Sequence, residues 1–395
     1  MNIRKDIFLH NAILVLLIFF SGLTVKADEI KELNQRIESL EAKVASASEW
    51  KSPYTLFHMA GYADVGFIQS EESMDSFNIG TFSPIFHYQY RDIVSLESEL
   101  EFGVGPDGET ESALEYLTIN YFLNDYVAVV VGKFLSPLGS FRQNLHPSWI
   151  NKMGSAPVGF GHDGAAPLSD LGAQVRGGFL ISDVKFNYAV YASNGPELVS
   201  VTEDSGASYE LEGIAAEGFG ADRDGKKTYG ARIGVLPVPS FELGLSYNTD
   251  NTSVTKLEDE VAETESPIAG EEARGYLAVG SDFSWNYRNL VLRGEYIKTT
   301  IGEATTGQTL SEEASWEAWY SQVSYRFNPS KWEAALRFTN FDSPHASEDQ
   351  EQWALSLNYL FANNFIAKVT YESNEGTTGS SSDNNRTIFQ LTYGF

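Results

Sequence analysis

From Trp50 to the last residue, apolar and polar positions alternate with a period of two. Such alternation is the mark of strands with one apolar and one polar face. Sixteen alternating runs can be marked, beginning with 54–68 and 77–90 and ending with 363–374 and 384–395. The connections between them alternate in length. Arg91-Asp92, Asp183, Tyr287 and Ala362 are among the tight ones. Between these fall the long ones: 69–76, 104–111, 136–170, 195–226, 251–271, 301–314, 343–349 and 375–383. Runs close to the roughly 9–11 residues a tilted membrane-crossing strand needs, with short turns at one end and long loops at the other, predict a closed barrel in lipid. The expected fold is all-β: a 16-stranded antiparallel transmembrane β-barrel over residues 50–395, preceded by a short N-terminal periplasmic coiled-coil helix. An even strand number puts both barrel ends on the side of the short turns.

The faces carry the same message. Phe389, Leu391, Tyr393 and Phe395 share one side of the last run, with Gln390, Thr392 and Gly394 on the other. Trp332, Ala334, Leu336 and Phe338 likewise oppose Glu333, Ala335, Arg337 and Thr339. A soluble barrel would turn its apolar face inward, and 16 strands would enclose far more space than those side chains fill. The inverted pattern, with an apolar band outside and charge inside, removes that difficulty. Aromatics near strand ends, such as Tyr90, Tyr126, Trp285, Tyr287, Tyr325, Phe327, Tyr359 and Phe361, suit the girdles at the membrane interfaces.

Two segments before the barrel follow other rules. Residues 1–27 read as a cleaved signal peptide: Arg4 and Lys5 lead, Ala12–Phe20 is apolar, and Val25-Lys26-Ala27 offers a small-residue cleavage site. The apolar stretch is too short for a helical span. In residues 28–49, Ile30, Leu33, Ile37, Leu40 and Val44 are spaced as the a and d positions of a heptad. This seam is too narrow for a helix buried on its own domain and fits a periplasmic oligomerisation stalk. Two heptads are marginal alone, so contact between barrels must hold the chains together.

Composition narrows the function. The 395 residues carry a formal net charge of −27. That excludes nucleic acid as a partner, since it needs a basic surface. There is no cysteine, and therefore no disulfide, thiolate metal site or cysteine nucleophile. The acidic runs, such as Glu258-Asp259-Glu260, read as solvated loop faces.

One segment breaks the alternation for 35 residues. Residues 136–170 combine four prolines, five glycines and Trp149 with balanced charge, Arg142 and Lys152 against Asp163 and Asp170. An insert this long inside a compact domain is usually functional, and its aromatics argue for a folded one. By strand count it is the third long loop. Its expected course is inward, forming a constriction, with Trp149 packed on the inner wall.

A terminal Leu391-Thr392-Tyr393-Gly394-Phe395 resembles the signal by which the barrel assembly machinery recognises its clients, with Phe395 as its key residue. Gly132-Lys133-Phe134-Leu135-Ser136-Pro137-Leu138-Gly139 is similar to the segment entering the pore loop of the phosphate-selective porins O and P. The heptad stalk resembles that of dicarboxylate-type trimeric porins. The resemblance implies a homotrimer in the Gram-negative outer membrane, embedded in its lipid, with the third extracellular loop folded inward. It also implies a ladder of lumenal arginines. Here the expected inward basic residues, Lys133, Arg176, Lys185, Arg232, Arg293, Arg326, Arg337 and Lys368, are interleaved with acids. Those acids are Asp64, Glu97, Glu99, Glu101, Asp282, Glu295, Glu333 and Glu372.

The expected function is passive diffusion of small hydrophilic, charged solutes. Pore selectivity rests on radius and fixed charge. The candidate constriction residues are Lys133, Arg142, Lys152, Arg176, Arg232, Arg293 and Arg337 against Glu97, Glu99 and Glu101. The alternatives are a barrel hydrolase, a phospholipase or protease, and a non-channel structural or adhesive barrel. A hydrolase needs a nucleophile and base together, and His58 and His87 have no recognisable serine and acid beside them in the pattern. His146 and His162 with Asp163 match no common metal-ligand spacing. No cofactor, metal or catalytic residue is expected.

Overall fold

The computed structural model describes residues 35–36 and 55–395, apart from 72–74, 106–107, 162–163, 203–208, 216–221, 223–224, 260–263, 269–270, 308, 310–311, 346–347 and 379. The signal peptide and the stalk residues Ile30, Leu33, Ile37, Leu40 and Val44 lie outside the described residues, as do His162 and Asp163. The chain divides into the units Met1–Leu56 and Phe57–Phe395, and the account below concerns the second.

Sixteen strands close a single antiparallel barrel. The first seven are β1 (Thr55–Ser70), β2 (Ser76–Tyr90), β3 (Val94–Val104), β4 (Thr110–Asn124), β5 (Val127–Leu135), β6 (Ser169–Ile181) and β7 (Val184–Ser193). After an interruption come β10 (Thr228–Val238) and β11 (Phe241–Thr252). The wall is completed by β14 (Arg274–Tyr287), β15 (Leu290–Ile301), β16 (Ala314–Arg326), β17 (Trp332–Asp342), β18 (Gln350–Ala362), β19 (Phe365–Gly376) and β20 (Arg386–Gly394). Each coincides with one of the sixteen alternating runs. Closure joins β1 to β20, with Tyr62 opposite Gly394 and Ser70 opposite Arg386. Below that ladder the backbones of Gly61 and Phe395 exchange both hydrogen bonds at 2.9 Å. The terminal phenylalanine thus seals the seam. With no unpaired edge in the wall, the backbone polar groups are satisfied within the barrel, as lipid requires.

The alternation predicts the faces correctly. Val65, Leu245, Leu336, Leu355, Val369 and Leu391 are exposed on the outside, whereas Arg337, Thr339, Ser356, Thr370 and Glu372 on the other face are fully covered. A chain of ring contacts marks the short-turn interface: Trp332–Tyr359, Tyr359–Phe361, Phe361–Phe365, Phe365–Tyr393, Tyr393–Phe395 and Phe395–Phe82. Tyr and Phe rings suit this depth because one end can meet water. Three tight turns hold a non-glycine residue at positive φ, Arg91, Ser182 and Arg288; turns of this twist match that of the flanking strands.

Two features depart from a bare barrel. The long loops contain four further strands, β8 (Leu198–Thr202), β9 (Tyr209–Ile214), β12 (Val254–Asp259) and β13 (Thr264–Pro267). They form a separate sheet in the order β13-β12-β8-β9, with β12 and β8 parallel. The alternation pattern predicts plain loops there. The runs are only four to six residues long and their partners lie in another loop, so local alternation carries no sign of them. The second feature is an apolar core inside the lumen. Leu138, Phe141, Phe160 and Ala165 of the third loop pack with Leu198, Leu211, Ile214 and Val254 of the small sheet. Both groups meet Tyr276, Ile297, Trp316, Tyr320 and Phe341 of the barrel wall. The inward apolar residues of β14–β17 are therefore covered by protein rather than left facing water.

Candidate functional site

The third loop runs from Ser136 to Leu168, and its two ends are tied by a Ser136 N–H bond to the Leu168 carbonyl at 2.9 Å. Its first part crosses the lumen. Gly139 N–H donates to Ser246 Oγ at 3.1 Å, and its carbonyl accepts from Arg232 Nε at 3.2 Å. Phe141 N–H donates to the buried Glu295 carboxylate at 2.8 Å. These contacts fix the start of one helical turn, α1 (Phe141–Asn144), to β10, β11 and β15. Gly139 has φ +72°, and a Cβ there would come within 1.6 Å of Glu295 Oε1. Only glycine allows this approach.

The other side of α1 meets the opposite wall. Arg142 lies 3.9 Å from Glu115, and His146 Nε2 lies 3.6 Å from Glu99. His146 Nδ1 is hydrogen-bonded to the Arg142 carbonyl. Glu99, 1% exposed, also accepts the Tyr62 hydroxyl at 2.8 Å. One short helix therefore spans from the β10–β15 wall to β3 and β4.

The rest of the loop lies along β16–β20. Ser148 Oγ is 2.8 Å from Thr392 Oγ1, and Gly154 N–H donates to Thr370 Oγ1 at 3.0 Å. Lys368 Nζ donates to the carbonyls of Ser148 and Met153 at 2.5 and 3.0 Å. Arg337 donates to the carbonyls of Ser155 and Ala156, both at 3.1 Å, and to Gln352 at 3.0 Å. Lys152 pairs with Glu333 at 3.1 Å. Trp149 packs where expected: a Cβ on Gly394 would stand 2.8 Å from its ring.

This course leaves an open sector against the wall from β3 to β15. It holds two adjoining cavities that share Gln143, Asn144, Gln174 and Arg176. The smaller, about 320 Å³, is lined by Glu97, Glu99, Tyr116, Thr118 and His146. The larger, about 570 Å³, is lined by Arg232, Arg293, Asn187, Tyr188 and Glu242. Glu97 and Glu99 line only the smaller cavity, Arg232, Arg293 and Glu242 only the larger, and Arg176 both, beside the Gln143–Asn144 face of α1.

The expected constriction residues separate into groups. Arg176, Glu97 and Glu99 line the sector, and Arg293 lines its deeper cavity. Glu101 follows Glu99 toward the long-loop rim, on the same strand. Arg232 also lines it, but its guanidinium is engaged by Asp282 at 2.6 and 2.7 Å and by Asn187 at 3.1 Å. Arg142, Lys152 and Arg337 point inward and are held in contacts between loop and wall.

Lys133 requires a correction, because it is not on the lumen side. It lies opposite Leu117 and alternates with Val131, both exposed on the outer face, while Val130 and Phe134 are the buried inward residues. Its Nζ donates to the Leu114 carbonyl at 2.7 Å. A one-residue error in register moves a side chain to the other face of a sheet, and the glycine before Lys133 gave the pattern no reference there.

Sequence reasoning missed Glu115, Tyr62, Gln174 and the α1 amides. Glu115 is hidden by a bulge: Glu99 pairs with Tyr116 and Leu100 with Leu114, so Glu115 has no partner in the ladder and turns inward. The His58 and His87 rings are 5.8 Å apart, and His87 Nδ1 is 3.7 Å from Glu97. Among the described residues no group of three or more acidic, histidine or cysteine side chains could hold a metal ion.

Comparison with known proteins follows from this geometry. The family model for phosphate-selective porin O and P matches residues 183–395. A loop L8 deletion mutant of OmpT from Vibrio cholerae is similar in structure, with TM-score 0.57 at 11% identity, covering 87% of this chain and 100% of that one. An anion-selective porin from Comamonas acidovorans has TM-score 0.57 at 10% identity, covering 86% and 100%. The outer-membrane channel DcaP of Acinetobacter baumannii has TM-score 0.56 at 13% identity, covering 87% and 99%. No curated protein matches in sequence. At these identities the structural likeness speaks to the fold alone.

Proposed function

The chain belongs to the phosphate-selective porin O and P family, and from that premise we propose how its lumen works. The protein is an outer-membrane β-barrel channel for small hydrophilic solutes. In our reading, solutes pass between α1 and the wall from β3 to β15. Arg176 and Arg293 act as the basic side, with Glu97 and Glu99 as the acidic side. Glu101 adds to the acidic approach, and Arg232 shapes the opening while paired to Asp282. Arg142, Lys152 and Arg337 hold the loop in position.

The observation that carries this reading is the crossing of the lumen by α1, with two adjoining charge-lined cavities beside it. Selectivity then depends on few groups at close quarters. The barrel assembles as a homotrimer through residues 28–49, with Ile30, Leu33, Ile37, Leu40 and Val44 as the seam. Phe395 serves the assembly machinery as well as the closing ladder. The hydrolase alternative is not favoured by the family or by the histidine geometry.

Planar-bilayer recording across a salt gradient tests the reading. Arg176→Gln should shift the reversal potential toward cations and Glu97→Gln toward anions. Correctly folded protein that carries no current would overturn the channel itself.

A further inference from the structure

The lumen contains many charges, but few are free to meet a solute. Arg232 is bound to Asp282, Arg337 and Lys368 to loop carbonyls, and Lys152 to Glu333. Arg142 faces Glu115, and Glu99 is covered by Tyr62 and His146. What remains more open around the smaller cavity is Glu97, about one-third exposed with the His87 ring 3.7 Å away, and Arg176, which is exposed and makes a long 3.5 Å contact to Asn120. The surface between them is neutral and rich in hydrogen-bonding groups, from Thr118, Gln143 and Gln174.

We propose that the channel favours zwitterionic solutes of amino-acid size, whose cationic end turns to Glu97 and whose anionic end turns to Arg176. The proposal rests on the channel reading above and names its solute class. A simple anion is drawn to Arg176 but repelled by Glu97 and the nearby Glu99, and a simple cation meets the reverse. A neutral solute gains nothing from either. Only a molecule carrying both charges, a few ångströms apart, is attracted at each end while crossing a space of about 320 Å³. Charges of opposite sign on β3 and β6 set up a field along this part of the wall that aligns such a dipole. The amide groups of Gln143 and Gln174 replace part of its hydration without selecting a sign.

Proteoliposome swelling with the full-length folded protein tests this. The probes are β-alanine as zwitterion, arabinose as neutral solute, gluconate as anion and choline as cation. The expected result is β-alanine entry about threefold or more above what its size predicts from arabinose, with both ions slower. Arg176→Gln and Glu97→Gln should each bring β-alanine back toward the size-based value set by arabinose in the same variant. If arabinose enters but β-alanine keeps no advantage, or keeps it in both variants, the zwitterion proposal fails and the channel stands. If no solute enters, the channel reading itself fails.

Discussion

Replacing Arg337 by lysine separates two roles that the sequence alone assigns together. The wild-type guanidinium is fully covered and makes three hydrogen bonds to the third loop, to Ser155 O, Ser155 Oγ and Ala156 O at 3.1, 3.2 and 3.1 Å, plus one to Gln352. Lysine keeps the positive charge but offers a single nitrogen in place of the planar fork. At least two of the three loop bonds should be lost. A hydrogen bond to a charged group contributes roughly 1.5–3 kcal/mol, so the nominal loss is about 3–6 kcal/mol. Lumen water can take over part of it, which brings the weakening to about 1.5–3 kcal/mol. That corresponds to roughly a 10- to 100-fold rise in the population with residues 154–156 detached. Lys368 and Thr370 still hold Ser148, Met153 and Gly154, so the rest of the loop stays in place. Single-channel recording should then show added flicker between conductance levels and a higher mean conductance, with ion selectivity nearly unchanged. A steady current of wild-type size with a shifted reversal potential would refute the anchor argument. It would mean that permeating ions sense the Arg337 charge directly.

Three other outcomes follow from the same geometry. Gly139→Ala combines a left-handed backbone cost of roughly 1–2 kcal/mol with a methyl 1.6 Å from Glu295 Oε1. It should free the start of α1 and raise cysteine labelling at an introduced Gln143→Cys; unchanged labelling in folded protein would contradict it. The exposed Glu272 carboxylate accepts backbone N–H bonds from Thr305 and Thr306, which hold it below the ordinary carboxylate range. A depressed pKa means its contribution is present above the unfolded value and is lost only as pH falls through the lower folded one. The hydrogen-exchange protection of Thr305 and Thr306, taken against the intrinsic rate at each pH, should therefore be flat from neutral pH down to the ordinary carboxylate value and fall below it, and Glu272→Gln should lower it at neutral pH. Deleting residues 28–49 should weaken the trimer in mild detergent, and an unchanged oligomer on native gels would remove the stalk from the account.

Much of the barrel was legible because lipid and water sort side chains residue by residue. Each of the sixteen wall strands coincides with an alternating run, and the inversion of its faces, as in Trp332-Glu333 or Leu391-Thr392, is local to a few positions. The loop was legible as an interruption, and Trp149 as its anchor. The fate of the charges was not. Arg232 and Asp282 sit on β10 and β14, separated by β11, and come together only through the barrel's register. Arg337 and Lys368 read as pore charges until the loop carbonyls lie against them.

The sequence by itself determined strand number, orientation of faces, and the position of the one long inward segment. These depend on a period-two pattern that each strand carries alone. The tertiary structure decided that Lys133 points outward, that Glu115 turns in at a bulge, and that four short strands form a sheet within the long loops. It also decided that Arg232, Arg337, Lys368 and Lys152 are held by Asp282, loop carbonyls and Glu333. The physical reason is range: alternation is a property of neighbouring residues, whereas pairing of buried charge depends on distances across the lumen that no single strand encodes.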